Sequence, residues 1–305
     1  MDYELAIIGG GPAGYTAGIY ATRAGIKAVL FDTGVGGGLM ALSPEIENFP
    51  GFMSISGLKL ADLMREHVEK YMTLNFGESV DKLEVSEDEV TVITSKDTYK
   101  VGAVIIATGT EHRKLGIKGE EKLTGKGVSY CATCDGPFFK GKKVIVVGGG
   151  NSALIEAIAL QQMGIDVTLV HRRDMLRAED AYKNRALEVG VNILYETHME
   201  EIVGENMVEK VLLHNVKDQS NSEMDVNAVF VSIGEEPQTQ LAKQIGVELD
   251  ERGFIKTDKS MRTNIKRIYA AGDATGGLRQ IVTACAEGAI AALASTEVLG
   301  KVYPY

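Results

Sequence analysis

Two cysteines and a neighbouring carboxylic acid near the middle of the chain could carry redox chemistry. Cys131 and Cys134 are separated by Ala132 and Thr133, so their sulfurs can close a small disulfide ring, and Asp135 follows directly. At the start of a helix, the helix dipole would favour a thiolate on such a pair. An ionised Asp135 would oppose that effect, so its carboxyl makes more sense as a proton donor and acceptor during exchange. We therefore predict that Cys131, Cys134 and Asp135 are catalytic residues.

A metal site is the alternative use of paired cysteines. The chain has three cysteines, and the third, Cys285, lies among alanines in a predicted C-terminal helix. No second CxxC and no close pair of histidines would complete a set of four ligands, so redox chemistry is favoured and we predict no metal. We interpret Cys285 as a small buried hydrophobic residue.

A disulfide needs an electron source, and the N-terminal segment predicts a dinucleotide site. The apolar strand Glu4 to Ile8 leads into a glycine-rich turn, and a helix follows until Gly25. In that context the first glycine allows a tight turn, the second lets the backbone approach a pyrophosphate, and the third lets helix and strand pack closely. A second strand ends in Asp32, where a carboxylate can accept from a ribose hydroxyl. The predicted contacts of this site are Gly9, Gly11, Pro12, Ala13, Gly14 and Asp32. An ordinary glycine turn is the alternative, which the position of Asp32 disfavours.

The same strand, turn and helix occur a second time. Strand Lys143 to Val147 precedes Gly148-Gly149-Gly150-Asn151-Ser152-Ala153, in which alanine replaces the last glycine of the motif. The next strand ends in His171-Arg172-Arg173 instead of an acid, and guanidinium groups there suit a ribose 2′-phosphate. The sequence therefore predicts NADPH at this site, although a basic, solvated helix start would show the same residues. The predicted contacts are Gly148, Gly150, Asn151, Ser152, Ala153, His171, Arg172, Arg173 and Arg177.

The composition limits the class of protein. With 305 residues, 45% of them apolar, the chain is long enough for two domains. The formal charge of -10 and the lack of basic runs argue against nucleic acid or an anionic membrane surface as the main partner. No apolar stretch approaches the roughly 20 residues needed to cross a bilayer, and the N-terminus shows no targeting signal, so we expect a cytoplasmic protein.

These motifs occur in the order that is typical of one family. The chain resembles the low-molecular-weight, NADPH-dependent thioredoxin reductases, a branch of the flavoprotein disulfide reductases with two dinucleotide-binding domains. Beyond the glycine turns, the similarity rests on Gly37-Gly38, Glu47-Asn48-Phe49-Pro50-Gly51, Ala107-Thr108-Gly109, Cys131 to Gly136, His171-Arg172-Arg173, Gly272-Asp273 and Arg279-Gln280. In the glutathione reductase branch the redox cysteines lie in the first, flavin-binding unit, whereas here they lie beside the second glycine turn.

The resemblance implies an α/β fold with two doubly wound, Rossmann-like dinucleotide-binding domains, the second inserted into the first. Residues 1-112 and 241-305 would bind FAD, with Asp273 on its ribitol, and residues 113-240 would bind NADPH and carry the redox pair. A Cys131-Cys134 disulfide, thioredoxin as the protein substrate, rotation of the inserted domain and a homodimer are also implied. The further FAD contacts implied are Gly38, Asn48, Ala107, Thr108, Gly109, Gly272, Asp273, Arg279, Gln280 and Ile281.

One departure from the family pattern leaves alternatives open. Leu39 stands where the family usually has glutamine after Gly37-Gly38, on the flavin side. The nearest alternative is a same-fold reductase that uses ferredoxin or a deazaflavin as donor, or that serves a glutaredoxin-like or peroxidase partner. In relatives with other donors the second glycine turn or the basic triplet has typically degenerated, and here both are intact. Ferredoxin-NADP⁺ reductases of this fold lack the dithiol, and a non-catalytic redox sensor holding FAD and NADPH is the more distant alternative.

Overall fold

The computed structural model describes residues 2–43 and 45–302. In chain order its elements are β1 (Leu5–Ile8), α1 (Pro12–Arg23), β2 (Ala28–Asp32), α2 (Gly57–Glu69), β3 (Thr73–Phe76), β4 (Val80–Val85), β5 (Val90–Thr94), β6 (Thr98–Val101), β7 (Ala103–Ile106), β8 (Thr110–His112), α3 (Glu120–Leu123), β9 (Val128–Ser129), α4 (Ala132–Asp135), β10 (Lys143–Gly148), α5 (Asn151–Gln162), β11 (Asp166–Val170), α6 (Asp180–Glu188), β12 (Asn192–Leu194), β13 (Thr197–Val203), β14 (Lys210–Asn215), β15 (Asn221–Asp225), β16 (Ala228–Ser232), β17 (Glu235–Pro237), α7 (Gln240–Gln244), β18 (Ile268–Ala270) and α8 (Ile281–Ser295). Short 3₁₀ helices cover Gly38–Leu42, Gly136–Phe139 and Gly272–Thr275. Within the described ranges, no helix combines the length and the apolar character needed to cross a membrane.

The chain folds into two compact units. The first comprises Met1–Leu42, Ile46–Glu111 and Glu236–Tyr305, and the second comprises Ser43–Glu45 and His112–Glu235. The chain leaves and re-enters the first unit through β8 and β17, which pair as a two-stranded sheet. The sequence predicts linkers near Thr110 to Lys114 and Gly234 to Gln240, and these segments contain both strands. The assignment of residues 1-112 and 241-305 to FAD, and of 113-240 to NADPH, stays a prediction.

The first unit is built on a parallel sheet with the strand order β18-β7-β1-β2-β3. Apart from the edge strand β3, its strands are short apolar runs that are buried on both faces, as in Leu5–Ile8, because each face of the sheet is covered. Helices α1 and α8 pack on one face, and the antiparallel sheet β4-β5-β6 packs on the other. Since parallel strands end at one edge, the segments that follow β1, β2, β7 and β18 lie together there.

The second unit repeats this plan with the strand order β12-β11-β10-β16-β9, again parallel. Helices α5 and α6 pack on one face, and the antiparallel sheet β13-β14-β15 packs on the other. The second glycine turn follows β10, the basic segment follows β11, and the cysteine pair follows β9. The topology therefore places these three segments at one edge of the sheet. The α/β class with parallel sheets agrees with the prediction from the sequence.

Candidate active site and dinucleotide-binding sites

The first glycine turn joins β1 to α1 at the carboxyl edge of its sheet. Helix α1 begins at Pro12, a position at which a missing backbone N–H costs nothing. Gly9 has a positive φ of 111° and lies against the carbonyl of Ala107, so a side chain there would collide with the backbone. Gly11, which starts the helix, has no side-chain cap, and nothing lies within 4 Å of the place where its Cβ would be. Uncapped N–H groups beside open space fit a pyrophosphate.

The carboxylate of Asp32 is already engaged with the backbone around this turn. Oδ2 accepts a hydrogen bond from the N–H of Gly10 at 2.7 Å, and Oδ1 accepts one from the N–H of Gly34 at 2.7 Å. The sequence predicts that Asp32 contacts a ribose hydroxyl. Ionised carboxylate oxygens can each accept a further bond, so the geometry leaves that contact open while adding a role in holding the turn.

Segments that are far apart in the sequence meet around this turn. A Cβ on Gly38 would lie 3.4 Å from the Cα of Gly11, and one on Gly272 would lie 2.9 Å from the Cβ of Ala13. The N–H of Ala107 donates to the carbonyl of Ile8, the last residue of β1. Four of the segments that the family resemblance assigns to FAD are therefore neighbours in the first unit.

The remaining predicted flavin contacts are fixed by polar contacts of their own. Thr108 Oγ1 donates to the carbonyl of Gln238 at 2.5 Å. Gln280 is the N-cap of α8 and forms a reciprocal capping box with Thr283. Asn48 Nδ2 donates to Gln280 Oε1 at 3.1 Å, which joins two predicted contacts 232 positions apart. The others adjoin these residues: Gly109 follows Thr108, Asp273 follows Gly272 in a 3₁₀ helix, and Arg279 and Ile281 flank Gln280. Helix α8 ends at Ser295.

Glu287 supports the turn that carries Asp273 and was not identified from the sequence. Its Oε2 accepts from the N–H of Gly272 at 2.8 Å and from Thr275 Oγ1 at 3.1 Å. Burial raises the pKa of Glu287, and these two hydrogen bonds partly oppose that rise. A signal was available, because Glu287 is the one carboxylate in the otherwise apolar and small-residue helix α8, which has no basic residue.

The second glycine turn has the same open geometry. Gly150 caps α5 without a side-chain hydrogen bond, and nothing lies within 4 Å of its Cβ position. A Cβ on Gly148 would collide with Ala153 and with the carbonyl of Ser232, which explains the glycine there. Asn151 is engaged with the chain itself, since Nδ2 donates to Glu179 Oε1 at 2.8 Å and Oδ1 accepts from the Glu179 N–H at 2.9 Å. Ser152 is exposed on the first turn of α5.

His171 lies beneath this turn and connects it to the basic segment. Its ring is buried, with Nδ1 at 2.8 Å from the carbonyl oxygen of Gly148 and Nε2 at 3.0 Å from that of Met175. A Cβ on Gly149 would collide with the same ring. The N–H of Arg177 also donates to the carbonyl of Gly149 at 2.8 Å. The structure thus brings the basic segment to the glycine turn, and the side chains of Arg172, Arg173 and Arg177 are exposed.

The cysteine pair forms a disulfide, with the two Cα atoms 5.3 Å apart. Cys131 is the N-cap of α4, and its Sγ accepts a hydrogen bond from the N–H of Cys134 at 3.2 Å. Helix α4 covers only four residues before the chain continues as a 3₁₀ helix. A helix this short has a small dipole, so the local N–H of Cys134 is the clearer source of stabilisation for charge on Sγ.

Asp135 is a buried carboxylic acid next to the disulfide. Burial raises its pKa, and a hydrogen bond from Ser129 partly opposes that rise. Ser129 Oγ donates to Asp135 Oδ2 at 2.6 Å and accepts from the N–H of Cys131 at 3.1 Å. Among the described residues, Asp135 Oδ1 is buried without a hydrogen-bond partner. Ser129 was not identified from the sequence, although a hydroxyl in a short buried strand is a usable signal.

Cys285 lies apart from the redox pair in the sequence, in α8 of the first unit. Its thiol is free and partly buried, and burial raises its pKa. The thiol hydrogen-bonds with Thr16, which lies on α1. The prediction of a small buried hydrophobic residue is met only in part, because the side chain is partly exposed and makes a polar contact.

Comparisons with known proteins match this arrangement along nearly the whole chain. The family model of the pyridine nucleotide-disulphide oxidoreductases matches residues 3–288 of this chain. A thioredoxin reductase of Listeria innocua is 44% identical over 293 residues, covering 95% of this chain and 91% of the relative. The crystal structure of a thioredoxin reductase from Streptococcus pyogenes has a TM-score of 0.93 at 42% identity, covering 98% of both chains. A ferredoxin-flavin thioredoxin reductase from Clostridium acetobutylicum is 36% identical, with 98% of both chains covered and a TM-score of 0.53.

Proposed function

Because the chain belongs to the pyridine nucleotide-disulphide oxidoreductase family, we propose that it reduces the disulfide of thioredoxin with electrons from NADPH, and that FAD is its prosthetic group. The family and the fold predicted from the sequence are confirmed by the relatives. The single observation that carries the proposal is the disulfide between Cys131 and Cys134. It lies at the sheet edge that also presents the second glycine turn and the basic segment.

The first unit is the proposed FAD site. When bound, the flavin supplies a two-electron redox centre that can exchange electrons with a nicotinamide and with a disulfide. The open side of Gly11 and the uncapped start of α1 would receive the pyrophosphate. Asp273 would bind the ribitol, and the paired side chains of Asn48 and Gln280 would bind the flavin side. A flavin and a nicotinamide nucleotide follow from the family, and FAD is the more specific proposal.

The second unit is the proposed NADPH site. Gly150 would receive the pyrophosphate at the uncapped start of α5. Arg172 and Arg173 are exposed and free to bind a 2′-phosphate, with Arg177 on the same segment. His171 is buried under the turn, so its proposed role is to support the arginines and not to contact the nucleotide with its ring.

The cysteines would transfer two electrons by thiol-disulfide exchange. In the reduced protein one thiolate attacks a sulfur of the thioredoxin disulfide, which forms a mixed disulfide and releases the other thioredoxin sulfur as a thiolate. The second cysteine then attacks the mixed disulfide, so the Cys131-Cys134 bond forms again and the second thioredoxin thiolate leaves. Two protons pass to thioredoxin, and Asp135 is placed to carry one of them.

Rotation of the second unit on its two linkers and a homodimer are further parts of the proposal. The cysteines and the proposed NADPH site belong to one unit, whereas the proposed FAD site belongs to the other. A nicotinamide and a disulfide would have to reach the same flavin in turn, within about 3.5 Å for hydride transfer. A crosslink that locks the units should therefore stop turnover with thioredoxin, and full activity after locking would exclude the rotation.

An insulin-reduction assay with NADPH and thioredoxin tests the proposed function. Cys131→Ser and Cys134→Ser should each abolish thioredoxin reduction while NADPH still bleaches the flavin. Cys285→Ser is the matched control and should retain activity, because Cys285 lies outside the redox pair. Thioredoxin reduction by either of the first two variants at the rate of the unchanged protein would refute the proposed relay.

A different electron donor is the second candidate function. The similarity to the ferredoxin-flavin thioredoxin reductase of C. acetobutylicum favours testing it, together with Leu39 at the usual glutamine position. Stopped-flow bleaching of the flavin with NADPH, reduced ferredoxin and a reduced deazaflavin separates the donors. Fast bleaching by NADPH supports the main proposal, and bleaching by ferredoxin alone supports the alternative.

A further inference from the structure

Ser129 connects the redox disulfide to the buried carboxyl of Asp135. Its hydroxyl donates to Asp135 Oδ2 at 2.6 Å and accepts from the backbone N–H of Cys131 at 3.1 Å. Ser129 and Asp135 are 5% and 9% exposed, so bulk water does not substitute readily for either contact. The backbone of Asp135 is tied to the same turn, because its N–H donates to the carbonyl of Cys131 at 3.1 Å.

The two oxygens of the Asp135 carboxyl therefore differ in their hydrogen bonding. A serine hydroxyl has one hydrogen to donate, and here its shortest contact is with Oδ2. Oδ1 is buried and has no hydrogen-bond partner among the described residues. We propose that Ser129 is a positioning residue that anchors Oδ2, so that Oδ1 is the oxygen that exchanges protons with the thiols. This inference rests on the proposed function, since it specifies how the acid in that site is held.

The surroundings of Asp135 make the hydroxyl of Ser129 its main polar contact. Burial raises the pKa of the carboxyl, and the hydrogen bond from Ser129 lowers it. The segments packed around it carry few ionisable groups: β9 and the 3₁₀ helix Gly136–Phe139 have none, and Glu156 is the only one on α5. Without the hydroxyl, no hydrogen bond from Ser129 counteracts the effect of burial, so the pKa of Asp135 should rise further.

The transfer of the thiol proton can be followed through the rate at which the cysteines are alkylated. When a thiol of the reduced pair reacts with an alkylating agent, the sulfur gains a carbon, the halide leaves, and the thiol proton must be accepted by a base. Ionised Asp135 would accept that proton through Oδ1. A carboxylate with a higher pKa holds that proton more tightly, and its neutral form no longer opposes the negative charge of a thiolate, so the pH profile of alkylation should move to lower pH.

The test measures the iodoacetamide reaction of Cys131 and Cys134 by mass spectrometry between pH 5.5 and 9, in holoprotein reduced with dithiothreitol. Ser129→Ala should raise the rate near pH 7 by up to about tenfold, the scale of a lost hydrogen bond to a charged group, and should shift the profile to lower pH. Ser129→Thr keeps the hydroxyl and should restore the original profile. Ser222→Ala, at an exposed serine of the same unit, is the matched control.

A double-variant cycle with Asp135→Asn shows whether Ser129 acts through the carboxyl. If it does, Ser129→Ala changes the alkylation rate no further once Asp135 is asparagine. If instead the rate changes of the two single variants multiply in the double variant, the proposal is overturned. An unchanged profile in Ser129→Ala would also overturn it. Should that variant fold poorly, Ser129→Cys, a weaker donor of similar size, must show a shift in the same direction. The alkylation needs no NADPH or thioredoxin, so a failure of the proposed function is seen separately, as absent insulin reduction by the unchanged protein.

Discussion

The side chain of Asp32 accepts a hydrogen bond from the N–H of Gly10 at 2.7 Å, and so links the end of β2 to the glycine turn after β1. Its other oxygen accepts from Gly34 at 2.7 Å. One carboxylate thus joins the turn to the loop that follows β2. A position that the sequence suggests for ribose binding is also a support for the turn itself.

Substitution of Asp32 should weaken flavin binding through the loss of this support. Asp32→Ala leaves two backbone N–H groups without acceptors, and we expect at least about a tenfold loss of FAD affinity, since hydrogen bonds to charged groups each contribute about 1.5–3 kcal/mol. Asp32→Asn keeps one acceptor and should lose less. Titration calorimetry of the apoprotein with FAD measures both, with the exposed Asp88→Ala as control. Equal affinities of Asp32→Ala and Asp88→Ala would show that the turn does not need the carboxylate.

Two neighbouring glycines of the second turn should respond to alanine in different ways. In Gly149→Ala the new Cβ collides with the ring of His171, so the protein should lose about 1–3 kcal/mol of unfolding free energy. Gly150 has φ -100° and ψ 178°, which any residue adopts, and its Cβ would enter open space. Gly150→Ala should therefore remain within about 1 kcal/mol in stability but bind NADP⁺ weakly, because the Cβ occupies the approach to the pyrophosphate. Urea unfolding and NADP⁺ titration together test the contrast, and similar losses of stability in both variants would contradict it.

The exposed arginines should determine the choice between the two nicotinamide nucleotides. In the double variant Arg172→Ala and Arg173→Ala, the affinity for NADPH should fall by about ten- to a hundredfold, because guanidinium groups no longer meet the 2′-phosphate. The affinity for NADH should change little. Arg185→Ala, which removes an exposed arginine paired with Glu188 in the same unit, is the control. An unchanged ratio of the two dissociation constants would refute the assignment of this site to NADPH.

The turns and their strands could be predicted because the signals are local. Apolar runs, glycines at fixed spacing and the residue that ends the next strand all lie within about 30 residues of each other in each unit, as such motifs require. The family resemblance implies that Asn48 and Gln280 both contact FAD, but the hydrogen bond between them was not predicted, because the two lie 232 positions apart and neither has a local pattern that indicates the other.

Residues that act by orienting others were not predicted. Ser129 and Glu287 hold Asp135 and the Gly272 turn through contacts that exist only after the strands and helices have packed. The inward direction of the His171 ring was also not predicted, because its position beside two arginines suggested a ligand contact while its ring fills space under Gly149. The shortness of α4 did have a local signal in Pro137, which is compatible with the start of the next 3₁₀ helix but ends the regular helical bonds before it.

Glu287 should give the first unit a stability that depends on pH. Because the fold raises the pKa of this carboxyl, the folded state binds the proton more tightly, so stability is greatest below the unfolded-state pKa and falls as the pH rises through the folded-state pKa. Glu287→Gln keeps an acceptor for the Gly272 N–H and should flatten this dependence. Glu287→Ala leaves that N–H without its partner and should destabilise at every pH, by about 1–3 kcal/mol. Thermal unfolding from pH 5 to 8 checks both, and a Glu287→Gln curve parallel to that of the unchanged protein would exclude the carboxyl as the source.

Asp135→Asn should separate the catalytic use of the buried acid from its cost to stability. The amide cannot exchange a proton with a thiol, so thioredoxin turnover should fall by about a hundredfold or more. The fold raises the pKa of Asp135, so the unchanged protein loses stability as the pH rises from the unfolded-state pKa through the folded-state pKa, whereas the amide has no charge to bury. The variant should therefore gain stability relative to the unchanged protein as the pH rises above the unfolded-state pKa, while losing activity. Asp166→Asn, at an exposed position of β11, should change neither quantity. A variant that is less active but shows no pH-dependent gain would mean that Asp135 is ionised at little cost, and its role would then be that of a fixed negative charge beside the disulfide and not that of a proton carrier.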